Sequence, residues 1–413
     1  MNNKEYDIVI VGGSVVGALF ACAMQKLLGD QNSLRIALID SSDLQQQVKP
    51  CADYDSRVFA INLATQNILI QLGLWDEIKA VRATPFNNMY VWNADSHIEF
   101  NSADIAYDRL GYIVEQRTLL WPALAQLKQG FQVDLYYSQQ VSAFSRVGDN
   151  VEIKLESGDV FRTRLLVGAD GANSQVRKFA GIDTLAWSYD QKAIVATVST
   201  EKDHEFIAAQ NFLQTGPLAF LPLDAGLSSI VWSADTELAE DLMALDDATF
   251  CVRLQHSFAS RLGKVELVTP RAAFPLQCQH SKQYSKPGIV LIGDSAHVIH
   301  PLAGQGVNLG IMDAMMLAQT LADELTHSNF NPGNYALLRR YERSRKSENL
   351  MMMGVMDGFK RLFGTQLVPL QQLRNFGLRF VAQSPLLKNT IMVKALGLSG
   401  EIPEFVLGSE RVS

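Results

Sequence analysis

YDIVIVGGSVVGALFACAMQKLL, from Tyr6 to Leu28, decides how the rest of the chain is read. Tyr6 to Val11 is a short β-branched run that stops at Gly12, the pattern of a buried strand. Val15 to Leu28 is rich in Ala, Leu and Met, which lose little on entering a helix. Leu34 to Ile39 (LRIALI) is a second apolar strand, and Asp40 ends it. Strand, glycine turn, helix, strand, acid is the order of a dinucleotide-binding βαβ unit.

The turn reads Gly12, Gly13, Ser14, Val15, Val16, Gly17 against the pattern G-x-G-x-x-G. In that pattern the first glycine allows the tight turn and the middle one lets backbone approach a pyrophosphate. The last lets helix pack closely on strand. The pyrophosphate then rests on free N–H groups at the helix start. Ser14 stands where the middle glycine belongs. It adds a Cβ where close approach is needed, and a hydroxyl able to donate to a phosphate oxygen. Asp40, about 20 residues further on, is placed to accept from a ribose 2′-hydroxyl. The alternative reading is a tight turn that holds no ligand.

Outward from this unit the pattern changes. Asn88 to Phe100, Lys192 to Thr200 and Ser228 to Ser233 read as strands between long polar loops, a second sheet. Leu165 to Gly168 and Ile289 to Ile292 are short strands entering glycine-containing loops, and should return to the first unit. From about Asn334 the chain reads as helical. The expected fold class is α/β (α+β overall). A Rossmann-like nucleotide domain is expected from residues 1–85, 106–182 and 275–333. A β-sheet substrate domain is expected from 86–105 and 183–274, and a helical C-terminal region from 334–413.

Composition removes several classes. The 413 residues are 47% hydrophobic and 19% charged, ample for a core. A formal charge of −7 argues against bulk nucleic-acid binding. Cys22, Cys51, Cys251 and Cys278 are far apart and form no CxxC pair, which suits a reducing compartment. Ile8 to Met24 is apolar enough to suggest a signal peptide, but Gly12, Gly13 and Ser14 interrupt it and acids precede it. No uninterrupted apolar run reaches the roughly 18 residues of a spanning helix.

Two later motifs carry chemistry. RLLVGADGANSQVRK (Arg164 to Lys178) places Asp170 and Gly171 between a strand and a helix. Taken alone it is an ordinary Asp-Gly turn. GDSAHVIHPLAGQGVNLG runs from Gly293 to Gly310. Asp294, His297 and His300 resemble a facial metal triad. Yet Pro301 follows at once and no other His/Cys cluster completes a site, so no metal is expected.

GGSVVG, GADGANSQVR and GDSAHVIHPLAGQGVNLG together resemble the group A FAD-dependent aromatic monooxygenases. DSRVFAIN (Asp55 to Asn62), IVEQR (Ile113 to Arg117) and YERSRK (Tyr341 to Lys346) are similar to the ubiquinone-biosynthesis hydroxylases among them. The resemblance implies that Gly12, Gly13, Ser14 and Gly17 hold the FAD pyrophosphate, and Asp40 the adenosine ribose. It implies that Arg57 and Arg117 lie along the cofactor. Asp170, Gly171 and Arg177 are implicated in FAD and pyridine-nucleotide binding, and Asp294 in contacting the ribityl chain. Pro301, Gly304, Gln305, Gly306, Val307 and Asn308 would seat the flavin ring. Ser14 is the departure, since the family usually has glycine there.

Glycines suit a loop against which a planar ring must lie. The helix from Gly306 would point its N-terminus at the ring and favour negative charge building up there. The two histidines read first as structural, and second as positioning groups. In this chemistry oxygen is reduced at the flavin to a hydroperoxide that hydroxylates an electron-rich ring, so no nucleophile is expected and no catalytic residue can be singled out. NAD(P)H is the expected reductant. The expected partners are a polyprenylated aromatic substrate and O2, with no nucleic acid. Arg339, Arg340, Arg343, Arg345 and Lys346 precede the apolar residues Leu350 to Met353, Val355, Met356, Phe359, Leu362 and Phe363. This is either a core-packed helix with a solvated basic face or a peripheral membrane or partner contact. The expected location is the cytoplasm, or peripheral at the inner face of the membrane. A multi-protein biosynthetic complex and a homo-oligomer are compatible with it. The competing functions are a flavin monooxygenase for another aromatic substrate and a non-catalytic FAD-binding subunit.

Overall fold

The computed structural model describes residues 3–29, 34–49, 51–93, 96–130, 132–299, 306–327, 330–364 and 384–407. Five parallel strands make the centre of the first sheet, in the order Ile289–Leu291, Val160–Gly168, Asn3–Val11, Ile36–Ile39, Val133–Tyr136. The opening strand is flanked on both sides, and Ile8, Val9 and Ile10 are fully buried. This is why the stretch is apolar without alternation. The hairpin Val141–Val147 and Asn150–Leu155 extends antiparallel from Val160–Gly168.

The helix Val15–Leu28 packs between the helices Gly306–Ala322 and Gln116–Gln129. Its Gly17, Ala18, Leu19, Phe20, Ala21, Cys22, Ala23 and Met24 are buried, so it is apolar nearly all round. That explains the run that imitates a signal peptide.

The second sheet orders its strands His297–Val298, Ala272–Ser281, Thr184–Thr200, Leu227–Asp235, Gly216–Pro222, Ile207–Leu213, Asn88–Trp92, His97–Asn101, with Val265–Leu267 beside the long third strand. Asn88 to Phe100 is therefore a hairpin and not one strand. Its turn signal is local: the Asn93 side chain accepts from the Ser96 N–H at 2.8 Å. Ala272–Ser281 runs through residue 275, where a domain boundary was expected, and the late motif itself contributes His297–Val298 to this sheet. A small third sheet of Val58–Asn62, Thr84–Phe86 and Gly111–Glu115 was not anticipated.

Alternation along the second sheet separates its faces. Ile194, Ala196, Val198, Leu218, Phe220, Ile230 and Trp232 pack, with Phe250 and Leu254, beneath the helices Thr236–Ala244 and Asp247–Ser257. Their alternates face a cavity. At the C-terminal end, Tyr335–Gly364 buries Leu338, Tyr341 and Met353 while exposing Leu350, Met351 and Val355. Arg345 is not part of a solvated basic face: it is 1% exposed and paired with Asp313 at 2.8 Å. Among the described residues no helix is long and apolar enough to cross a membrane.

Candidate functional site

A cavity of about 1320 Å³ runs between the first sheet and the second. It exceeds the roughly 300–1,000 Å³ of ordinary small-molecule pockets. One end is polar and is built where the parallel strands finish, lined by Gly12, Ser14, Asp40, Arg57, Asp170, Gly171 and Asp294. The other is the apolar face of the second sheet, from Val195, Val231, Ala219 and Val91 to Ile98 and Phe100.

The glycine turn is forced by backbone. Gly12 has φ +106°, and a Cβ there would lie 2.2 Å from the Ala169 carbonyl oxygen. A Cβ on Gly17 would lie 1.9 Å from the Gly12 carbonyl oxygen, so helix and strand meet without a side chain between them. Ser14 caps the helix by position, yet its hydroxyl makes no capping bond. Among the described residues no side chain accepts from the first-turn N–H groups, and Val15 and Val16 line the cavity. Asp40 has a second duty beside its place in the lining. Its carboxylate accepts from the Gly13 N–H at 2.7 Å and the Ser42 N–H at 2.8 Å, joining the turn to the second strand's end.

Asp170 is largely occupied by its own loop. It accepts from the Gln175 N–H at 2.7 Å, the Val176 N–H at 3.2 Å and the Ser295 hydroxyl at 3.1 Å. The middle and late motifs are thus tied together. Arg177 strengthens the tie by donating to the carbonyls of Ser295 at 2.9 Å and Ala172 at 2.6 Å, and burial pulls its pKa down. It buttresses the lining from behind.

Arg57 reaches the cavity, 3.3 Å from the Gln116 amide oxygen and 5.6 Å from the Phe274 ring at the junction of the two ends. Arg117 belongs elsewhere. Its guanidinium lies 3.7 Å from Asp55 and from the buried Glu115, and Arg82 holds Glu115 at 2.6 Å. Asn308 is also drawn inward. It donates to the Ala60 carbonyl at 2.9 Å and accepts from the Asn62 N–H and the Thr65 hydroxyl, at 3.1 and 2.7 Å. Gly306 and Val307 line the cavity. Pro301, Gly304, Gln305 and His300 lie outside the described residues.

Asp294 opens onto the cavity, and among the described residues nothing hydrogen-bonds its carboxylate. Protein encloses it, which pushes its pKa up; His297 and Arg57 pull it back and Asp313 adds to the rise. His297 points away, 2.5 Å from Asp313. Asp313 also accepts from Arg345, Asn349 and the Gly293 N–H. Burial pushes the Asp313 carboxyl up, but the charges and hydrogen bonds of His297 and Arg345 outweigh it and hold the pKa at about 2. No sequence motif announced this network, because its members come from the late loop and two separate helices. The same is true of Ile391, Met392, Ala395 and Leu396, which line the cavity from the helix Pro385–Ala395 and its end.

Comparison with known proteins identifies the class. Residues 5–352 match a family model described as an FAD binding domain, and the chain is an FAD-dependent aromatic hydroxylase. It is 36% identical over 404 residues to the 3-demethoxyubiquinol 3-hydroxylase of Escherichia coli, covering 96% of this chain and 100% of that one. It is 35% identical over 410 residues to the ubiquinone hydroxylase UbiL of Rhodospirillum rubrum, covering 98% and 94%. The crystal structure of p-nitrophenol 4-monooxygenase from Pseudomonas putida shares the fold, with a TM-score of 0.77 at 18% identity, covering 97% of this chain and 100% of that one. The chain belongs to the ubiquinone-biosynthesis hydroxylase family of flavoprotein monooxygenases.

The described residues fit FAD. Gly12 and Gly17 let strand and helix close into the tight turn at the cavity's polar end, and among the described residues no side chain caps the helix start and none hydrogen-bonds the Asp294 carboxylate. Both ends open into one cavity large enough for a cofactor and a second molecule.

Proposed function

We propose that this protein hydroxylates the aromatic ring of a polyprenylated phenol, using O2 and NAD(P)H. The observation that carries the reading is the single cavity with a polar dinucleotide end and an apolar sheet-lined end. Gly12, Gly13, Ser14, Gly17 and Asp40 would hold the pyrophosphate and ribose. Asp294 would accept from the ribityl hydroxyls, and Gly306 and Val307 would border the ring. Bound FAD supplies the redox chemistry that activates oxygen.

The chain's own part is positioning and exclusion. Asp294 supplies an acceptor that no described residue hydrogen-bonds. The start of Gly306–Ala322, where Gly306 and Val307 line the cavity, favours negative charge at the wall. The aliphatic wall of Val195, Val231, Ala219 and Val91 keeps water from the aromatic ring and accepts the prenyl tail. Met356, Ile391 and Met392 border that end with side chains able to adapt to a flexible chain.

The test supplies purified protein, loaded with FAD, with NAD(P)H, oxygen and a prenylated phenol. The expected product is heavier by one oxygen atom, with the label recovered from labelled O2. NAD(P)H oxidation that yields only peroxide with every phenol offered would refute the hydroxylase reading. Incorporation into unprenylated phenols alone would move the substrate to another aromatic class.

A further inference from the structure

The cavity-facing side of the second sheet is a continuous apolar wall with one polar side chain at its middle. Backbone register fixes the row: Val195 pairs with Val231, Val231 with Ala219, Ala219 with Gln210, Gln210 with Val91, and Val91 with Ile98. All six line the cavity. Beside it lie Leu221 and Met89 on one side, and on the other a row of Phe274, Ala193, Pro217 and Phe212 that holds a single polar member. Ser233, two strands away and 2% exposed, is the other polar residue that the described strands of this sheet contribute to the lining.

Gln210 is half-buried, and among the described residues nothing hydrogen-bonds its amide. Its neighbours on the same strand show the contrast. Asn211 points to the opposite face and donates to the Ser257 carbonyl at 2.8 Å. A strand amide on the core side is satisfied, while the one on the cavity side is left open. Water can serve Gln210 while the cavity is wet. An apolar molecule filling that end would expel the water and leave both a donor and an acceptor unpaired. A molecule carrying an oxygen at that depth avoids the loss.

We propose that Gln210 determines specificity, by hydrogen-bonding a ring oxygen of the substrate through the amide's donor and acceptor atoms. The inference rests on the hydroxylase reading and deepens it. The sheet wall takes the hydrocarbon, and Gln210 selects and orients a ring that bears oxygen. A site built to pair with a substrate hydroxyl rejects the analogue lacking it far more strongly than an apolar pocket could.

The experiment compares 2-prenylphenol with prenylbenzene, the same tail on a ring without oxygen. Binding to FAD-loaded protein is followed by perturbation of the flavin absorbance, and turnover by the fraction of NAD(P)H oxidation that yields hydroxylated product. Wild type is expected to prefer the phenol. Gln210→Met, nearly the same size, should reduce that preference about tenfold or more through weaker phenol binding, at unchanged FAD content, and should lower the product fraction as the ring loses its orientation. Gln210→Asn, which keeps the amide on a shorter stem, should retain part of the preference and serves if the Met variant is poorly folded. A Gln210→Met protein with full FAD and the wild-type preference overturns the inference alone. A wild type that binds neither compound, or both equally, overturns the substrate reading and the inference with it.

Discussion

Asp313→Asn tests whether the late motif is held in place by buried charge. The Asp313 carboxylate is fully buried and accepts from four donors: His297 at 2.5 Å, Arg345 at 2.8 Å, Asn349 at 3.1 Å and the Gly293 N–H at 3.2 Å. Asparagine keeps the shape, but removes the charge and turns one acceptor into a donor facing donors. Arg345 and His297, each 1% exposed, are left with their main counter-charge gone. Breaking a buried pair from one side costs about 3–5 kcal/mol. For a chain of 413 residues each kcal/mol lowers Tm by roughly 1 °C, so the variant should melt about 3–6 °C below wild type. The melt is followed by circular dichroism at saturating FAD, so that altered loading does not enter the comparison. pH supplies a second reading. The folded-state pKa of about 2 lies below the ordinary 3.8, so the carboxylate stabilises the fold fully above that ordinary value. That contribution is lost as pH falls through the folded-state value, and the gap between wild type and variant should close over the same window. A variant that melts within about 2 °C of wild type at neutral pH would refute the reasoning.

Two glycines should fail differently. Gly17→Val drives a side chain into the Gly12 carbonyl and should yield little folded protein, whereas among the described residues the nearest atom to a Cβ on Gly306 is 3.8 Å away. Gly306→Leu should therefore melt like wild type as apoprotein yet lose FAD, measured as flavin per chain; full loading with full turnover would contradict its place beside the cofactor. Ser14→Gly removes a hydroxyl that makes no capping bond, so stability should change by only a few tenths of a kcal/mol, within the error of a denaturant titration. Arg57→Ala should weaken FAD binding about tenfold or more, while Arg117→Ala leaves FAD affinity alone and lowers Tm, because only the first faces the cavity. Burial, with His297 and Lys346 nearby, lowers the His280 pKa from 6.5 to about 4. The unfolded chain then takes up its proton first, so stability falls as pH drops from about 6.5 to about 4, and His280→Gln should flatten that slope.

The legible part of this protein is the part where backbone chemistry leaves no choice. Gly12 and Gly17 are read from sequence because any Cβ there meets a carbonyl oxygen. Asp40 follows from its spacing after the glycine turn and Asp294 from the family resemblance of the late motif, and both line the cavity. Arg117 and Asn308 were expected at the site for the same reason, and the structure places them behind it. A motif records that a residue is needed near a ligand, and does not distinguish contact from support. Arg117 balances Glu115, and Asn308 stitches Gly306–Ala322 to Val58–Asn62.

The apolar end was illegible for a different reason. Its wall asks only for hydrophobic residues of about the right size at alternate positions, and many sequences meet that demand. Val91, Ala219 and Val231 carry no mark that separates a cavity lining from a core. Met392 and Leu396 come from a helix far along the chain whose contacts depend on the complete fold. Gln210 falls in the same gap. In the sequence it is one polar residue in an alternating strand, next to an Asn that looks equally ordinary. Its meaning arises only when four neighbouring strands set their apolar side chains around it. The two ends of the cavity are thus specified in different ways. The cofactor end depends on where side chains are forbidden, the substrate end on a surface that tolerates many side chains. Selectivity at the second end must then come from the few positions that break the apolar pattern, and Gln210, whose amide no described residue hydrogen-bonds, stands at the middle of the wall.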